Sequence, residues 1–194
     1  MEKPETMKRY IFTVVLAGAF SASAFAQGMA LPPGIAAETK AVYTSEKTNL
    51  LAAADQMPEA NYGFAPVPEE MTFGQWVAHV ADSQLAICAS LNGAPRQGTA
   101  SKMTGKADLV AALKASFDEC DKVYAILTDA NATELVAYGR GQNSRVGRLA
   151  YNNAHDNECY GSMAVYLRLN KVVPPSTAAR GGGRGGSGRG GPGR

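Results

Sequence analysis

The amino-acid sequence predicts an all-α protein, a four-helix bundle with long inter-helix loops. Three observations carry this. Four segments of roughly 20 residues place apolar side chains at helical spacing. Each segment is bounded by a cap or a breaker, and nowhere does the chain alternate apolar and polar residues for long between turn residues, as strands would. The first segment, from about Ile35 to Gln56, is rich in Ala, Glu and Lys and stops near Pro58. The second follows Thr72, an N-cap with Gln75 three residues on as a capping box, and runs to about Leu91 before Asn92-Gly93. The third spans about Lys106 to Leu127, with Leu109, Leu113, Phe117, Cys120, Tyr124 and Leu127 in a narrow seam of bundle type. The fourth begins after Ser144 and runs to about Asn170, with Pro174-Pro175 as a hard stop.

Two of the connections are long. Pro58 to Met71 contains Tyr62, Phe64 and three Pro, so it is expected to pack across the end of the bundle. Asp129 to Ser144 carries Thr133 to Tyr138, for which a short extra helix is the expectation. Long loops in compact domains are often functional.

The bundle is one part of a three-part chain. Residues 1–26 read as a secretory signal peptide: Lys8-Arg9, an apolar run from Tyr10 to Phe20, and Ala24-Phe25-Ala26 before Gln27. That run is too short for a permanent membrane anchor. Residues 27–179 form the domain, with 12 basic and 15 acidic side chains, a net of −3. Residues 180–194 are an Arg/Gly-rich tail with four Arg and no acid, too simple to bury a core and expected to be disordered. The domain shows no basic face of the kind nucleic acid requires, and the tail reads as a flexible extension or a contact for an anionic cell surface. The expectations are a periplasmic or secreted protein, no stable membrane insertion after signal cleavage, no nucleic acid, and a small molecule as ligand. The oligomeric state is left open, a homodimer included.

Three Cys remain in the processed chain. Cys88 and Cys120 lie on the apolar stripes of consecutive helices, which makes them the pair expected to form a disulfide in an oxidising compartment. Cys159 is then left over, four residues after His155. On a helix this spacing puts imidazole and thiol on one face, one turn apart, where both can grip a transition metal. The other His is His79, in the second segment, about 140° from the centre of its apolar stripe. It therefore belongs at a groove edge or in solvent. His79, His155 and Cys159 together would form a three-ligand site with an open position. Asp82, three residues on from His79, is either an acceptor that orients the imidazole or an ordinary solvated partner. Asp156 and Glu158 read as a solvated face. The blander alternative for His155 and Cys159 is a His packed on a small thiol.

Phe73-Gly74-Gln75 to His79-Val80-Ala81-Asp82, Lys106 to Ser116-Phe117-Asp118, His155 to Tyr160-Gly161, and Tyr166 to Asn170 followed by Val173-Pro174-Pro175-Ser176 resemble the DinB-like family, particularly a secreted subgroup. The similarity runs from about Ile35 to Ser176. It implies a bundle holding one divalent metal through three His, one on the second helix and two spaced i,i+4 on the fourth. His79 and His155 match two of these positions, and Cys159 stands where the third His is expected. Among such proteins some look like thiol-cofactor transferases, others like isomerases or hydrolases.

No Gly-x-Ser-x-Gly elbow, phosphate loop or Cys-x-x-Cys occurs, so the sequence assigns no catalytic residue. Two readings follow. One is an exported metal-binding protein, with Zn²⁺ the best match to mixed nitrogen and sulfur donors, acting as a hydrolase or transferase on a small molecule. The other is a metal-free bundle serving as a binding or structural module at the cell envelope.

Overall fold

The computed structural model describes residues 34–182. Its helices are α1 (Ile35–Gln56), α2 (Phe73–Leu91), α3 (Lys106–Ile126), α4 (Arg145–Leu169) and a short α5 (Pro175–Gly182), with a hairpin of β1 (Leu135–Tyr138) and β2 (Gly141–Ser144) before α4. The predicted signal peptide lies outside the described residues. Among those described, no helix is long and apolar enough to cross a membrane.

Local chemistry accounts for the ends of the helices. Thr72 accepts from the Gln75 amide while the Gln75 side chain accepts from the Thr72 amide, the expected capping box. Gly93 takes φ +76° directly after α2, a conformation that side chains resist. Ser144 caps α4 by accepting from the Gly147 amide.

Side-chain pairs give the directions. Thr39 meets Asn153 and Glu46 meets Asn157, so α1 and α4 run parallel. Tyr43 hydrogen-bonds to α3 at Phe117 and Asp121, whereas Lys106 reaches Asp55, so α1 and α3 are antiparallel. Gly74 lies beside Leu109 and Cys88 is bonded to Cys120, so α2 and α3 run parallel. The order is up-down-down-up, and residues 92–105 must carry the chain back along α2. Asp82 anchors that return by accepting from the Ala100 and Ser101 amides.

The core is continuous between the four long helices, around Leu50, Phe73, Val77, Leu113, Phe117, Leu149, Met163 and Leu167. Tyr43 and Tyr124 stack at 3.9 Å between ring centroids within it. The Pro58–Met71 loop does cover the bundle end: Tyr62 is buried and donates to the Ala54 carbonyl, and Phe64 meets the Tyr166 ring edge-on.

Two expectations need correction. Thr133–Tyr138 is not helical; its last four residues form β1, paired antiparallel with β2. Gly139 at φ +57° supplies the first position of a two-residue turn, so the Tyr-Gly-Arg-Gly sequence closes a hairpin. Helix α4 ends at Leu169, with Lys171 at φ +61°, ahead of Pro174-Pro175, and the prolines do not stop helical structure but open α5, because Pro is well suited to a first helical turn. Helix α5 takes in Arg180–Gly182 of the predicted tail, and residues 183–194 lie outside the described residues.

Cys88 and Cys120 form a disulfide with their Cα atoms 4.9 Å apart, and Cys159 is the remaining thiol. The bridge closes a 32-residue separation, so reducing it should cost about 3–4 kcal/mol through the freer unfolded chain. Urea unfolding with and without reductant measures this. Unreduced, denatured protein should label at one thiol, and three labelled thiols would exclude the bridge.

Candidate metal centre

His79 projects from the edge of the buried stripe of α2, exposed between buried Ala78 and Val80. Helix α4 passes antiparallel to α2 and places His155 opposite, with Nε2 atoms 2.9 Å apart and ring centroids 4.9 Å apart. One turn further on, Cys159 is 1% exposed, its Sγ 3.7 Å from His155 Nε2. Donor atoms of His79, His155 and Cys159 all lie within 4.8 Å of one another. The three residues expected from sequence thus converge.

Their protonation is unequal. The Asp156 carboxylate, with Oδ1 4.0 Å from His155 Nδ1, is the largest cause that pushes His155 up to about 10, and Cys159 adds to it against the opposing effect of burial. Burial, and then the neighbouring His155, hold His79 below its usual range. At 2.9 Å one Nε2 must donate and the other accept. With His155 pushed up and His79 held down, a protonated His155 would donate and a neutral His79 accept.

The family model described as the DinB superfamily matches residues 43–162, more than half of the chain and most of α1 through α4. The chain belongs to the DinB superfamily. A crystal structure of a DinB-like protein from Bacillus cereus superposes with a TM-score of 0.60 at 16% identity, covering 71% of this chain and 93% of that one. That likeness extends the shared fold to almost all of the other protein. No curated protein matches the chain.

Two flanking acids of this DinB protein differ from the sequence expectation. Asp156 is not on a solvated face; it is fully buried. The core stripe of α4 through Leu149, Cys159, Met163 and Leu167 passes through Asn152 and Asp156, so polar side chains occupy core positions. Continuing that 3–4 spacing backward from Cys159 is the signal that would have found them. Asn152 donates to both Asp156 and Gln84, and burial raises the Asp156 carboxyl above its usual range. Asp82 does not orient His79, because its two oxygens accept from the Ala100 and Ser101 amides. Glu158 is exposed as expected.

Does the cluster fit a metal? A tetrahedral ion with bonds of about 2.0–2.1 Å to nitrogen and about 2.3 Å to sulfur needs roughly 3.3 Å between nitrogens and roughly 3.5 Å from nitrogen to sulfur. The observed 2.9 and 3.7 Å lie near those edges, and the third, from His79 to Cys159, is within 4.8 Å, so side-chain adjustment would have to close the set. Asp156 Oδ1 is buried without a hydrogen-bond partner on the Nδ1 side of His155, where a carboxylate fixes the tautomer of a ligating imidazole. The donors fit a borderline-soft divalent ion.

The same helix carries a second unbalanced group, Arg148, 9% exposed, whose guanidinium lies over the Tyr138 ring at 3.9 Å. Such a stack contributes on the order of 0.5–2 kcal/mol.

In chelated protein His155 should titrate near 10 and His79 below 6.5, and Asp156→Asn should bring His155 down by about a unit or more. Imidazole NMR signals followed across pH measure all three values. Because folding raises His155, its contribution to stability is complete below about 6.5, the unfolded value. It is lost as pH rises through about 10. Thermal unfolding of the wild type and Asp156→Asn over that window should diverge most at its acid end.

Proposed function

We propose that this DinB-superfamily protein binds one divalent metal ion, Zn²⁺ in first place, through His79, His155 and Cys159, and acts on a small molecule as a metal-dependent hydrolase or transferase. The observation that supports this is the convergence of three donors within 4.8 Å on the seam of α2 and α4, with His79 exposed beside them. A bound ion would supply Lewis acidity at its open position.

The residues divide the work by their surroundings. His79 and His155 give nitrogen donors from two helices, and buried Cys159 adds a soft donor that favours Zn²⁺ over Mn²⁺. Asp156, steadied by Asn152, orients His155 and meets the charge on its ring. A depression of about 280 Å³ lined by Met71, Gln75, Ala78, His79, Asp82 and Ser101 adjoins the cluster and admits a small ligand to the His79 side. A Cys159 nucleophile with His155 as base is the weaker assignment, because a thiol 1% exposed offers an electrophile no approach. The Cys88–Cys120 bridge and the residue 1–26 pattern support work outside the cytoplasm.

Metal analysis of protein purified without chelator or nickel resin tests the reading, with about one ion per chain expected. Zinc binding should release protons, and occupancy should fall as pH drops and protons return to the two His and the thiolate. Cys159→Ser should weaken Zn²⁺ by more than Asp156→Asn, for which about 10–100-fold is expected. Cys159→His should raise affinity for Ni²⁺ or Mn²⁺. An empty site that no added divalent ion fills would leave the metal-free binding module as the function.

A further inference from the structure

Arg148, Tyr151 and His155 follow one another at i, i+3 and i+7, so they share a face of α4 and span about 10 Å along it. Their side chains form an unbroken line. The Arg148 guanidinium carbon is 3.9 Å from the centroid of Tyr138 and 5.3 Å from that of Tyr151. Tyr151 in turn stacks near-parallel on His155, with centroids 6.5 Å apart and planes 19° from one another. Both tyrosines offer open surface, Tyr138 being 47% and Tyr151 53% exposed.

Arg148 is the anomaly in that line. It is more than nine-tenths buried, yet among the described residues its guanidinium has neither a hydrogen bond nor an ion pair. Two tyrosine rings can lie along its planar faces, but its N–H donors lie in the plane and need acceptors that rings do not supply. None of its nitrogens is among the fully enclosed, unpartnered atoms, so the donors keep a window to solvent. Nor is a neutralising carboxylate on hand. The hairpin and first turn of α4 hold Arg140, Arg145 and Arg148 against one acid, Glu134, and Glu134 pairs with Arg145 at 3.1 Å.

We propose that Arg148, Tyr138 and Tyr151 form a binding ledge for a small molecule that carries an oxyanion, a carboxylate or phosphate, on a flat or aromatic body. The oxyanion takes the forked donors of Arg148, a geometry guanidinium matches in pairs of hydrogen bonds. The body lies on Tyr151, and the rest of the molecule extends toward His155. The ledge thereby names the substrate class for the centre proposed above and rests on that reading only for the role of the far end. It approaches the cluster from the hairpin side, away from the depression beside His79. Arg148 is here a binding residue, with no part in a bond-making step.

The test is an NMR titration of the full mature chain in chelator at low salt, with benzoate, phenyl phosphate and benzamide as probes. Without metal present, a failure of the metal reading cannot register as a failure of the ledge. Benzoate and phenyl phosphate should shift the Tyr138 and Tyr151 ring signals and the Arg148 Nε–H in a saturable way, whereas neutral benzamide should bind about tenfold more weakly or worse. Arg148→Met should lose the anions by the same factor, and Arg148→Lys, a point charge without the fork, should keep part of the affinity. Benzamide binding as well as benzoate would overturn the proposal, as would Arg148→Met matching the wild type, or neither anion shifting these signals. Should Arg148→Met fail to fold, the benzoate–benzamide comparison on the wild type decides alone.

Discussion

Asp156 is a carboxylate carried by α4 into the interior of the bundle, and much of the surrounding arrangement follows from having to accommodate it. An isolated charge there would cost several kcal/mol. Two groups reduce that cost: Asn152 one turn earlier, which also ties to Gln84 on α2, and the His155 ring beside it. Asp156 raises His155, and His155 in turn works against the burial that raises Asp156. Glu46 of α1 is buried nearby and is itself raised, by burial first and by Asp156 second. A polar seam through an otherwise apolar core therefore links α1, α2 and α4, and it restricts how those helices can slide past one another.

That restriction matters because the donor cluster belongs to no single helix. His79 comes from α2, His155 and Cys159 from α4, and a shift of one helical turn along either would part them by about 5 Å. The Cys88–Cys120 bridge holds α2 against α3, while Tyr124 holds α3 against α4 through the Asn153 side chain. Asp82, on the same helix as His79, pins the returning loop at Ala100 and Ser101. The core fixes the register, and the cluster sits at its edge, where one imidazole stays open to solvent.

A thiol in the third donor position changes the chemistry available to this bundle. Three imidazoles would leave the choice among first-row divalent ions wide, whereas one sulfur donor narrows it toward softer ions and makes the centre sensitive to oxidation. Cys159 is well shielded from oxidants by its burial, and the other two cysteines are already joined. The hydrogen bond between His79 and His155 uses nitrogens that a cation would need, so protons and a metal ion would compete for them.

Features set by neighbours in the chain were legible in the amino-acid sequence. Helix spacing and caps located α1 to α4, the apolar stripes paired Cys88 with Cys120, and i,i+4 spacing joined His155 to Cys159, because each depends on geometry within a few turns of one helix. The approach of His79 to His155 was inferred from likeness and residue type, and only the packed bundle brought their nitrogens to 2.9 Å. The burial of Asp156 was misread, since a charged side chain ordinarily faces water and its tolerance depends on Asn152, itself tied to Gln84 on α2, and on His155. The hairpin before α4 was missed because four residues a side are too few to show an alternating pattern, and cross-strand pairing decides them. The up-down-down-up course belongs wholly to the tertiary structure: helix periodicity says which face is buried, and only the contacts between faces say against what, and in which direction.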